Sequence, residues 1–295
     1  MGLVDSTIVR FLPAVPKPVV RKISERYIAG EELDDALVVV RRLNDQGKLA
    51  TIDVLGEEIT SPDEARAIAA AYRESLDAFE RGKLGSNVSV KPTGLGLKLG
   101  YDLCKANLED VVRHAAELGN FVRIDMEDAS TTDDTLRLYR ELREAGHDNV
   151  GVVLQAYLRR TLEDVRALAD LKPDVRLCKG IYVEPPSLAY TDAGSVRASF
   201  VQCLDALLEA GAHVAVATHD ERLIGEALER NVPELQMLLG VREERARELV
   251  AEGHRLRVYV PFGEQWYAYS LRRLQENPAM ATTIARAAVG RALRL

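Results

Sequence analysis

Residues 175–219 contain, in order, VRLCKGI (175–181), SVRASFVQCLDALLEAG (195–211) and HVAVATH (213–219). The outer two segments are short runs rich in apolar and β-branched residues, which is typical of buried strands. The middle segment places apolar residues at the three- and four-residue spacing of a helix that buries one face. A strand, a helix and a second strand in this order predict a βαβ unit with two parallel strands.

Six further apolar runs extend the same alternation in both directions. They are KLATIDVL (48–55), NVSVKP (87–92), FVRIDM (121–126), VGVVLQA (150–156), LQMLLG (235–240) and RLRVYVP (255–261). Helical periodicity fills the intervals, and eight strands alternating with eight helices predict an α/β fold, a (β/α)8 barrel. The run at 235–240 is the least distinctive, because it could also be the end of a helix.

The helix predicted over 61–82 carries the clearest start signals. Ser61 is a typical N-cap, Pro62 falls in the first turn, and Glu64 stands three residues after Ser61, as in a capping box. These signals predict that the helix begins at Ser61.

The barrel leaves segments on both sides. Residues 1–47 are predicted to form an N-terminal helical extension, and 48–295 the barrel domain with C-terminal helices. The eighth barrel helix is expected over 263–278 and a small extra helix over 279–295. No linker, repeat or low-complexity segment divides the chain.

Composition excludes several classes of protein. Of the 295 residues, 39 are Lys or Arg and 46 are Asp or Glu, so the net charge of −7 gives no basic surplus for nucleic acid. The three cysteines form no CxxC pair, and no secretory signal is visible, so a cytoplasmic protein without disulfides is expected. No run approaches the length of a membrane-spanning helix. No His, Cys or carboxylate spacing indicates a metal site, and the glycines of 94–100 miss the dinucleotide-binding spacing by one residue.

Charged and polar residues stand in or directly after the predicted strands, where a barrel is usually apolar. They are Glu57, Lys91, Arg123, Asp125, Gln155, Arg176, Lys179 and His219. A structural ion pair would explain any one of them, because an unpaired buried charge is costly. So many near the carboxyl ends of the strands predict a functional pocket, since active sites of barrels lie at that end.

The predicted eighth helix carries an unusual stripe. Tyr269, Arg272, Arg273 and Glu276 share one face by their spacing. Two adjacent arginines suit a carboxylate or a phosphate, which guanidinium groups bind in a bidentate manner. Several of the chain's few aromatic residues stand nearby, namely Tyr259, Phe262, Trp266, Tyr267 and Tyr269.

These segments together resemble a known family. VSVKP, RIDMED, VVLQAYLRRT, VRLCKGIYVEP, VATHD, LQMLLGVR and VYVPFGEQWYAYSLRRLQENP occur in this order between 57 and 278. They are similar to the flavin-dependent proline dehydrogenase family, in its monofunctional form. The RLxKGxY segment and the Tyr-x-x-Arg-Arg-x-x-Glu helix are the most specific parts of the resemblance.

The resemblance implies a distorted (β/α)8 barrel that holds FAD, rather than FMN, at the carboxyl ends of the strands. The implied reaction is the oxidation of L-proline to 1-pyrroline-5-carboxylate, the first step of proline degradation to glutamate. Electrons would pass to a quinone or another acceptor, with peripheral contact at the inner face of the membrane. The length leaves no room for an aldehyde dehydrogenase module, so a separate pyrroline-5-carboxylate dehydrogenase would take the product.

The family's functional residues can be matched to positions in this chain. Residues implied to contact the substrate are Glu57, Lys91, Tyr182, Leu238, Tyr259, Tyr269, Arg272, Arg273 and Glu276. Residues implied to contact the flavin are Met126, Gln155, Arg176, Lys179, Gly180, Ile181, Thr218 and His219. Asp125 and Arg176 are the implied catalytic residues, with Asp125 supporting Lys91. Glu57 would pair with Arg272 over the substrate. Cys178 and Ile181 depart from the valine and alanine that the family often has.

Two other readings of the residues are open at this point. Lys91 or Lys179 could form a Schiff base, as in a lysine-dependent barrel aldolase. A barrel kept as a binding protein would show no activity. The colour of the purified protein and its bleaching by anaerobic L-proline would separate these readings. The last segment, 279–295, has three arginines and no acidic residue, which suits either a packed helix or an anionic membrane surface.

Overall fold

The eight predicted strands close into a barrel. The computed structural model describes residues 20–21, 24, 26–56, 59–267 and 269–270. Its strands are β1 (Leu49–Val54), β2 (Ser86–Val90), β3 (Val122–Ile124), β4 (Val150–Gln155), β5 (Asp174–Cys178), β6 (His213–Ala217), β7 (Glu234–Leu238) and β8 (Leu256–Phe262). All are parallel and in chain order, and β8 pairs with β1 to close the sheet. The barrel fold is confirmed, and the ambiguous run at 235–240 is a strand.

Helices alternate with the strands. They are α1 (Leu33–Asp45), α2 (Pro62–Gly82), α3 (Tyr101–Glu117), α4 (Thr132–Glu144), α5 (Thr161–Leu168), α6 (Ala193–Glu209), α7 (Glu221–Glu229) and α8 (Glu243–Ala251). Of the eighth barrel helix predicted over 263–278, the structure describes 263–267 and 269–270. The segment 279–295 lies outside the described residues.

The start of α2 follows the predicted signals with one change. The Ser61 hydroxyl accepts a hydrogen bond from the Glu64 amide at 3.3 Å, and Pro62 is the first helical residue. The Glu64 carboxylate, however, accepts from the amide of Thr60 at 2.6 Å. The reciprocal bond of the capping box is therefore made one residue earlier than predicted.

Helix α1 takes part in the barrel wall although it precedes the first strand. It packs against β1 and β8 and buries Ala36, Val40 and Leu43 on one face. In a regular barrel the ring of helices is built from helices that follow strands. Here the seam between the last and first strands is covered by a helix of the N-terminal extension.

The strands alternate between an apolar outer face and a polar inner face. Residues such as Ile52, Val88 and Ile124 are fully buried in the core shared with the helices, while the side chains between them fill the barrel. The three cysteines are free thiols.

The amino end of the barrel interior is filled by two groups of ion pairs. Arg123 is ion-paired with Asp174 and donates to the Asp174 carbonyl at 2.8 Å. Asp174 also contacts Nδ1 of His213 at 3.0 Å. A structural ion pair was the alternative for any one of the charges predicted in the strands, and the structure shows this outcome for Arg123. It stands two residues before Asp125 and is held by the first residue of β5.

The second group surrounds Glu234, the first residue of β7. Arg257 of β8 donates to both Glu234 carboxylate oxygens, at 2.8 and 3.0 Å, and to the Ala50 carbonyl at 2.8 Å. Arg255 adds a further bond to Glu234 at 2.9 Å. Every carboxylate in these two groups therefore has a guanidinium partner at the end of the barrel remote from the predicted pocket.

Candidate active site

A buried lysine stands at the carboxyl end of β2. Lys91 follows the strand directly, and only 8% of it is exposed. Its Nζ is ion-paired with Asp53 of β1, which is completely buried. It also donates to the Tyr259 hydroxyl of β8 at 3.3 Å. Side chains from three strands that are neighbours in the closed sheet therefore meet at one point.

The same network continues to the other side of the barrel. The Tyr259 hydroxyl donates to Asp125 Oδ2 at 2.8 Å. Asp125 Oδ1 accepts from Arg176 at 3.0 Å and from the Ser89 hydroxyl at 2.6 Å. Arg176 also donates to Ser89 Oγ at 2.7 Å. Asp53 is thus paired with Lys91, and Asp125 with Arg176, so these four buried charges balance. The hydroxyls of Tyr259 and Ser89 add further links to these ions.

Tyr259 is the central group of this network. Burial raises its pKa well above the usual value, and the carboxylates of Asp125 and Asp53 raise it further. The phenol therefore stays protonated and continues to donate to Asp125. Its ring has the Arg176 guanidinium carbon 5.3 Å and the Lys91 Nζ 5.9 Å from its centroid, distances at which cations are attracted to aromatic faces.

The loops after β3 and β4 are tied together beside this network. Gln155, the last residue of β4, is 2% exposed and donates to the Glu127 carbonyl at 2.7 Å. The Glu127 carboxylate accepts from the amide of Thr93 at 2.9 Å and from its hydroxyl. Met126 is buried between the two acidic residues that flank it in the sequence. Three consecutive strand ends therefore share one set of hydrogen bonds.

The chain after β5 passes close to the loop after β4. Gly180 has φ of +106°, and a Cβ built on it would lie 2.0 Å from Cδ1 of Tyr157. A glycine is required there for both reasons. Its neighbour Lys179 shares Asp220 with Arg197, at 3.4 and 2.8 Å. Ile181 is exposed at the rim.

The ends of β6 and β7 are joined through a histidine. His219 Nε2 accepts from the Leu238 amide at 3.0 Å, so this nitrogen carries no proton and the ring is held in one orientation. Thr218 Oγ1 accepts from the Asp220 amide at 3.1 Å. These bonds fix Thr218, His219 and Leu238 at the carboxyl end of the barrel.

Comparisons with known proteins show the family of this chain. The sequence model of a family described as proline dehydrogenase matches residues 36–286. The chain belongs to the proline dehydrogenase family. Proline dehydrogenase 1 of Bacillus subtilis (strain 168) is 39% identical over 269 residues, which cover 88% of this chain and 89% of that protein. The proline dehydrogenase of Deinococcus radiodurans is 37% identical over 274 residues, with 89% and 88% covered.

Solved structures show the same fold. The crystal structure of proline utilization A (PutA) from Bdellovibrio bacteriovorus, inactivated by N-propargylglycine, matches with a TM-score of 0.80 and 30% identity, over 88% of this chain and 33% of that one. Proline utilization A from Corynebacterium freiburgense matches with a TM-score of 0.76 and 21% identity, over 97% and 34%. The chain therefore spans about a third of the length of these two structures.

One residue role implied by the resemblance to the proline dehydrogenase family needs correction. Asp125 was expected to support Lys91, but the carboxylate ion-paired with Lys91 is Asp53. Asp125 is ion-paired with Arg176 and reaches Lys91 through the Tyr259 hydroxyl. In the closed sheet β1 lies between β2 and β8, and Asp53 is in register with Pro261, two residues beyond Tyr259. Asp53 therefore stands on the strand between those that carry Lys91 and Tyr259.

Sequence reasoning missed three members of the site. Asp53 lies inside the apolar run 48–55, where it is as exceptional as the charges in the other strands, and that signal could have identified it. Ser89 stands two residues before Lys91, on the same face of its strand, but an uncharged hydroxyl is not exceptional there. Glu127 stands inside the RIDMED segment and was not singled out. Each needed its partner to be known, and the partners come from other strands.

The remaining predicted residues divide into two groups. Tyr269 is buried against Ile28 and Leu55 and is near enough to Tyr259 to raise the pKa of that tyrosine, so it lies near the network. Tyr182 is half-buried after β5. Glu57, Arg272, Arg273 and Glu276 lie outside the described residues. Their roles, including the arginine pair for a carboxylate, stay predictions.

The described residues contain neither a candidate metal site nor a candidate membrane-spanning helix. In the described ranges, no three His, Cys, Asp or Glu side chains group together in a way that could hold a metal ion. No helix within the same ranges is long and apolar enough to cross a membrane.

Proposed function

We propose that this protein oxidises L-proline to 1-pyrroline-5-carboxylate, with FAD as the hydride acceptor. The observation that carries the proposal is the charge-balanced network of Asp53, Lys91, Tyr259, Asp125 and Arg176 at the carboxyl end of a proline dehydrogenase barrel. Such a network holds cations in fixed positions next to the place where barrel enzymes bind their substrates.

The residues of this end fit a flavin. Arg176 Nε is buried and has no hydrogen-bond partner in the described part of the chain, so a donor is available there for an acceptor atom of a ligand. When bound, the flavin takes up the two electrons of the oxidation as a hydride. Seven further residues would hold it, namely Met126, Gln155, Lys179, Gly180, Ile181, Thr218 and His219.

Lys91 and Arg176 would act through their positive charges, on the substrate amine and on the hydride acceptor respectively. A fixed ammonium beside the substrate favours its neutral amine, which is the form that can release a hydride from the adjacent carbon. The Arg176 guanidinium, held by Asp125 and Ser89, would stabilise the negative charge that arrives on the hydride acceptor. Tyr182, Leu238, Tyr259 and Tyr269 would enclose the proline ring.

Arg272 and Arg273 would bind the proline carboxylate, with Glu276 and Glu57 as their acidic partners. The change Arg272→Ala should raise KM for L-proline about 10- to 100-fold, because a charge-assisted bond contributes about 1.5–3 kcal/mol. The flavin should stay bound. Arg166→Ala is a matched control, since Arg166 is exposed on α5. An unchanged KM in Arg272→Ala would contradict the carboxylate role.

The direct test is anaerobic mixing with L-proline. The purified protein should be yellow, and L-proline should bleach it with formation of 1-pyrroline-5-carboxylate. A colourless protein that is trapped by borohydride with a carbonyl substrate would favour the aldolase instead. The structure does not favour that reading, because the amines of Lys91 and Lys179 are both engaged in ion pairs, with Asp53 and Asp220, whereas a Schiff base requires an amine that is available to attack a carbonyl.

Electrons would then pass to a quinone, and a separate dehydrogenase would take the pyrroline product. A soluble quinone analogue should reoxidise the proline-reduced protein. Peripheral membrane contact at the inner face of the cytoplasmic membrane would depend on 279–295. Deleting this segment should abolish co-sedimentation with anionic liposomes if the contact exists, and unchanged co-sedimentation would refute its role.

A further inference from the structure

A fully buried carboxylate lies beneath the active-site lysine. Asp53 has no exposed surface, and its Oδ2 is ion-paired with Lys91. Its Oδ1 accepts a hydrogen bond from the Tyr72 hydroxyl at 3.3 Å. Tyr72 belongs to α2, outside the strands, and its hydroxyl also accepts from the Val54 amide at 3.3 Å. A helix of the outer ring thus reaches the charge network at the carboxyl end of β1.

The burial of Lys91 makes its protonation depend on its partners. A lysine that is 8% exposed would lose its proton readily without a carboxylate, because burial disfavours the charged form of an amine. Asp53 supplies that carboxylate. Tyr72 stays protonated as a donor, because burial raises the pKa of its hydroxyl well above the usual value and the charge of Asp53 raises it further.

We propose that Asp53 and Tyr72 are positioning residues that keep Lys91 protonated and hold its ammonium against Tyr259. The inference deepens the proposed oxidation of proline and rests on it. Among the described residues, Lys91 faces Asp53 from β1 and Tyr259 from β8. Asp125, Arg176 and Tyr269 lie beyond Tyr259.

Loss of Asp53 should change the pH dependence of the reaction. In the unaltered protein the ion pair with Asp53 favours the charged form of Lys91. In Asp53→Asn the pKa of Lys91 falls, so activity should decline as the pH rises through that lowered pKa. A residue with a purely structural role would instead lower kcat/KM by the same factor at every pH.

The experiment is kcat/KM for L-proline against pH, measured on flavin-loaded protein. The kcat/KM of Asp53→Asn should be about 100-fold lower than that of the unaltered protein. The alkaline limb of its pH profile should move at least about one pH unit lower. Tyr72→Phe keeps the ring and removes only the hydroxyl. In Tyr72→Phe, kcat/KM should fall about 5- to 10-fold, which corresponds to the loss of one hydrogen bond, and the alkaline limb should move in the same direction as in Asp53→Asn.

A double-mutant comparison isolates the dependence on Lys91. On a Lys91→Met background, adding Asp53→Asn should cost less than about threefold, because the group that Asp53 serves is already gone. Tyr139→Phe is the matched control. Tyr139 is an equally buried tyrosine on α4, and its hydroxyl lies near Arg143 and Asp174 at the other end of the barrel. Its pH profile should match that of the unaltered protein.

Three outcomes would overturn the inference. The first is a kcat/KM of Asp53→Asn or Tyr72→Phe that is lower by the same factor at every pH. The second is that Asp53→Asn lowers kcat/KM as much on the Lys91→Met background as in the unaltered protein. If Asp53→Asn does not fold, an unshifted profile in Tyr72→Phe overturns the inference alone. Failure of the proposed function is distinct, because the unaltered protein would then not be bleached by L-proline.

Discussion

The two ends of the barrel interior both contain buried ions, but they satisfy them differently. At the amino end, Arg257 makes two bonds to Glu234 and one to a backbone carbonyl. Arg123 likewise bonds the carboxylate and the carbonyl of Asp174. At the carboxyl end, Lys91 and Arg176 are also ion-paired directly, with Asp53 and Asp125. There, however, the Tyr259 and Ser89 hydroxyls add further links to these ions, and Arg176 Nε has no partner among the residues described.

This difference supports the proposal that the reaction takes place at the carboxyl end. A guanidinium whose donors are taken up by protein groups stabilises the fold and offers little to a ligand. A network that keeps an available donor and uses hydroxyls as links can accept a ligand without breaking an ion pair. Charged residues in barrel strands therefore do not mark an active site by themselves. The partners of each charge decide its role.

The largest effect is expected at the amino end and on stability. Arg257→Met should lower the free energy of unfolding by about 3–5 kcal/mol, because it leaves Glu234 buried with only Arg255 as its cationic partner. Urea denaturation measures this. The kcat/KM for L-proline should stay within about threefold of the original value. A large loss of activity in the fully folded variant would remove the distinction between the two ends.

Arg176→Met should show the opposite balance. We expect kcat/KM to fall about 100- to 1,000-fold, which is typical when one preorganised donor is removed from a reacting centre. Steady-state kinetics on flavin-loaded protein measures it, with Arg257→Met as the matched arginine control. Equal kinetics for the two variants would contradict the assignment of the carboxyl end.

Acid should lower the stability that the ion pairs at the amino end of the barrel contribute to the fold. Burial opposes the ionisation of Asp174 and Glu234, but Arg123 with His213, and Arg257 with Arg255, hold both pKa values at about 2. Since these values lie below those of the unfolded chain, the stabilisation is fully present above about pH 4.5 and is lost toward pH 2. Asp174 should contribute about 2.5 kcal/mol and Glu234 about 3.5 kcal/mol.

Unfolding measured at a series of pH values tests this expectation. Glu234→Gln should be less stable at pH 7, and its stability should decline less between about pH 5 and 3. A variant with the same acid dependence as the original protein would show that Glu234 does not carry this effect.

The smallest effect is expected at the rim of the carboxyl end. Gly180→Ala should cost about 1–3 kcal/mol, because of its positive φ and the clash with Tyr157. Gly146→Ala is a matched control, since Gly146 has φ of +91° and nothing within 4 Å of an added Cβ. The difference between the two in thermal unfolding isolates the Tyr157 contact. Equal losses would show that backbone strain alone requires Gly180.

Much of the fold could be predicted from the sequence because the signals are local. The strand boundaries follow from runs of apolar and β-branched residues, and α2 begins at the predicted Ser61 and Pro62. The predicted partner of Glu64 was one residue off, because a flexible carboxylate can reach either amide. The alternation along the strands also places Lys91 on the same face as Ser89, and Asp125 on the same face as Arg123.

The pairing of these charges could not be read in the same way. Arg123 and Asp125 share a face of one strand, yet one is paired with Asp174 at the amino end and the other with Arg176 in the active site. Asp53 and Lys91 are 38 residues apart, and Lys91 and Tyr259 are 168 apart. The sequence by itself determined which side chains enter the barrel, because strand periodicity is a property of neighbouring residues. Only the tertiary structure decided which of them meet, because closure of β8 onto β1 sets the contacts between distant strands.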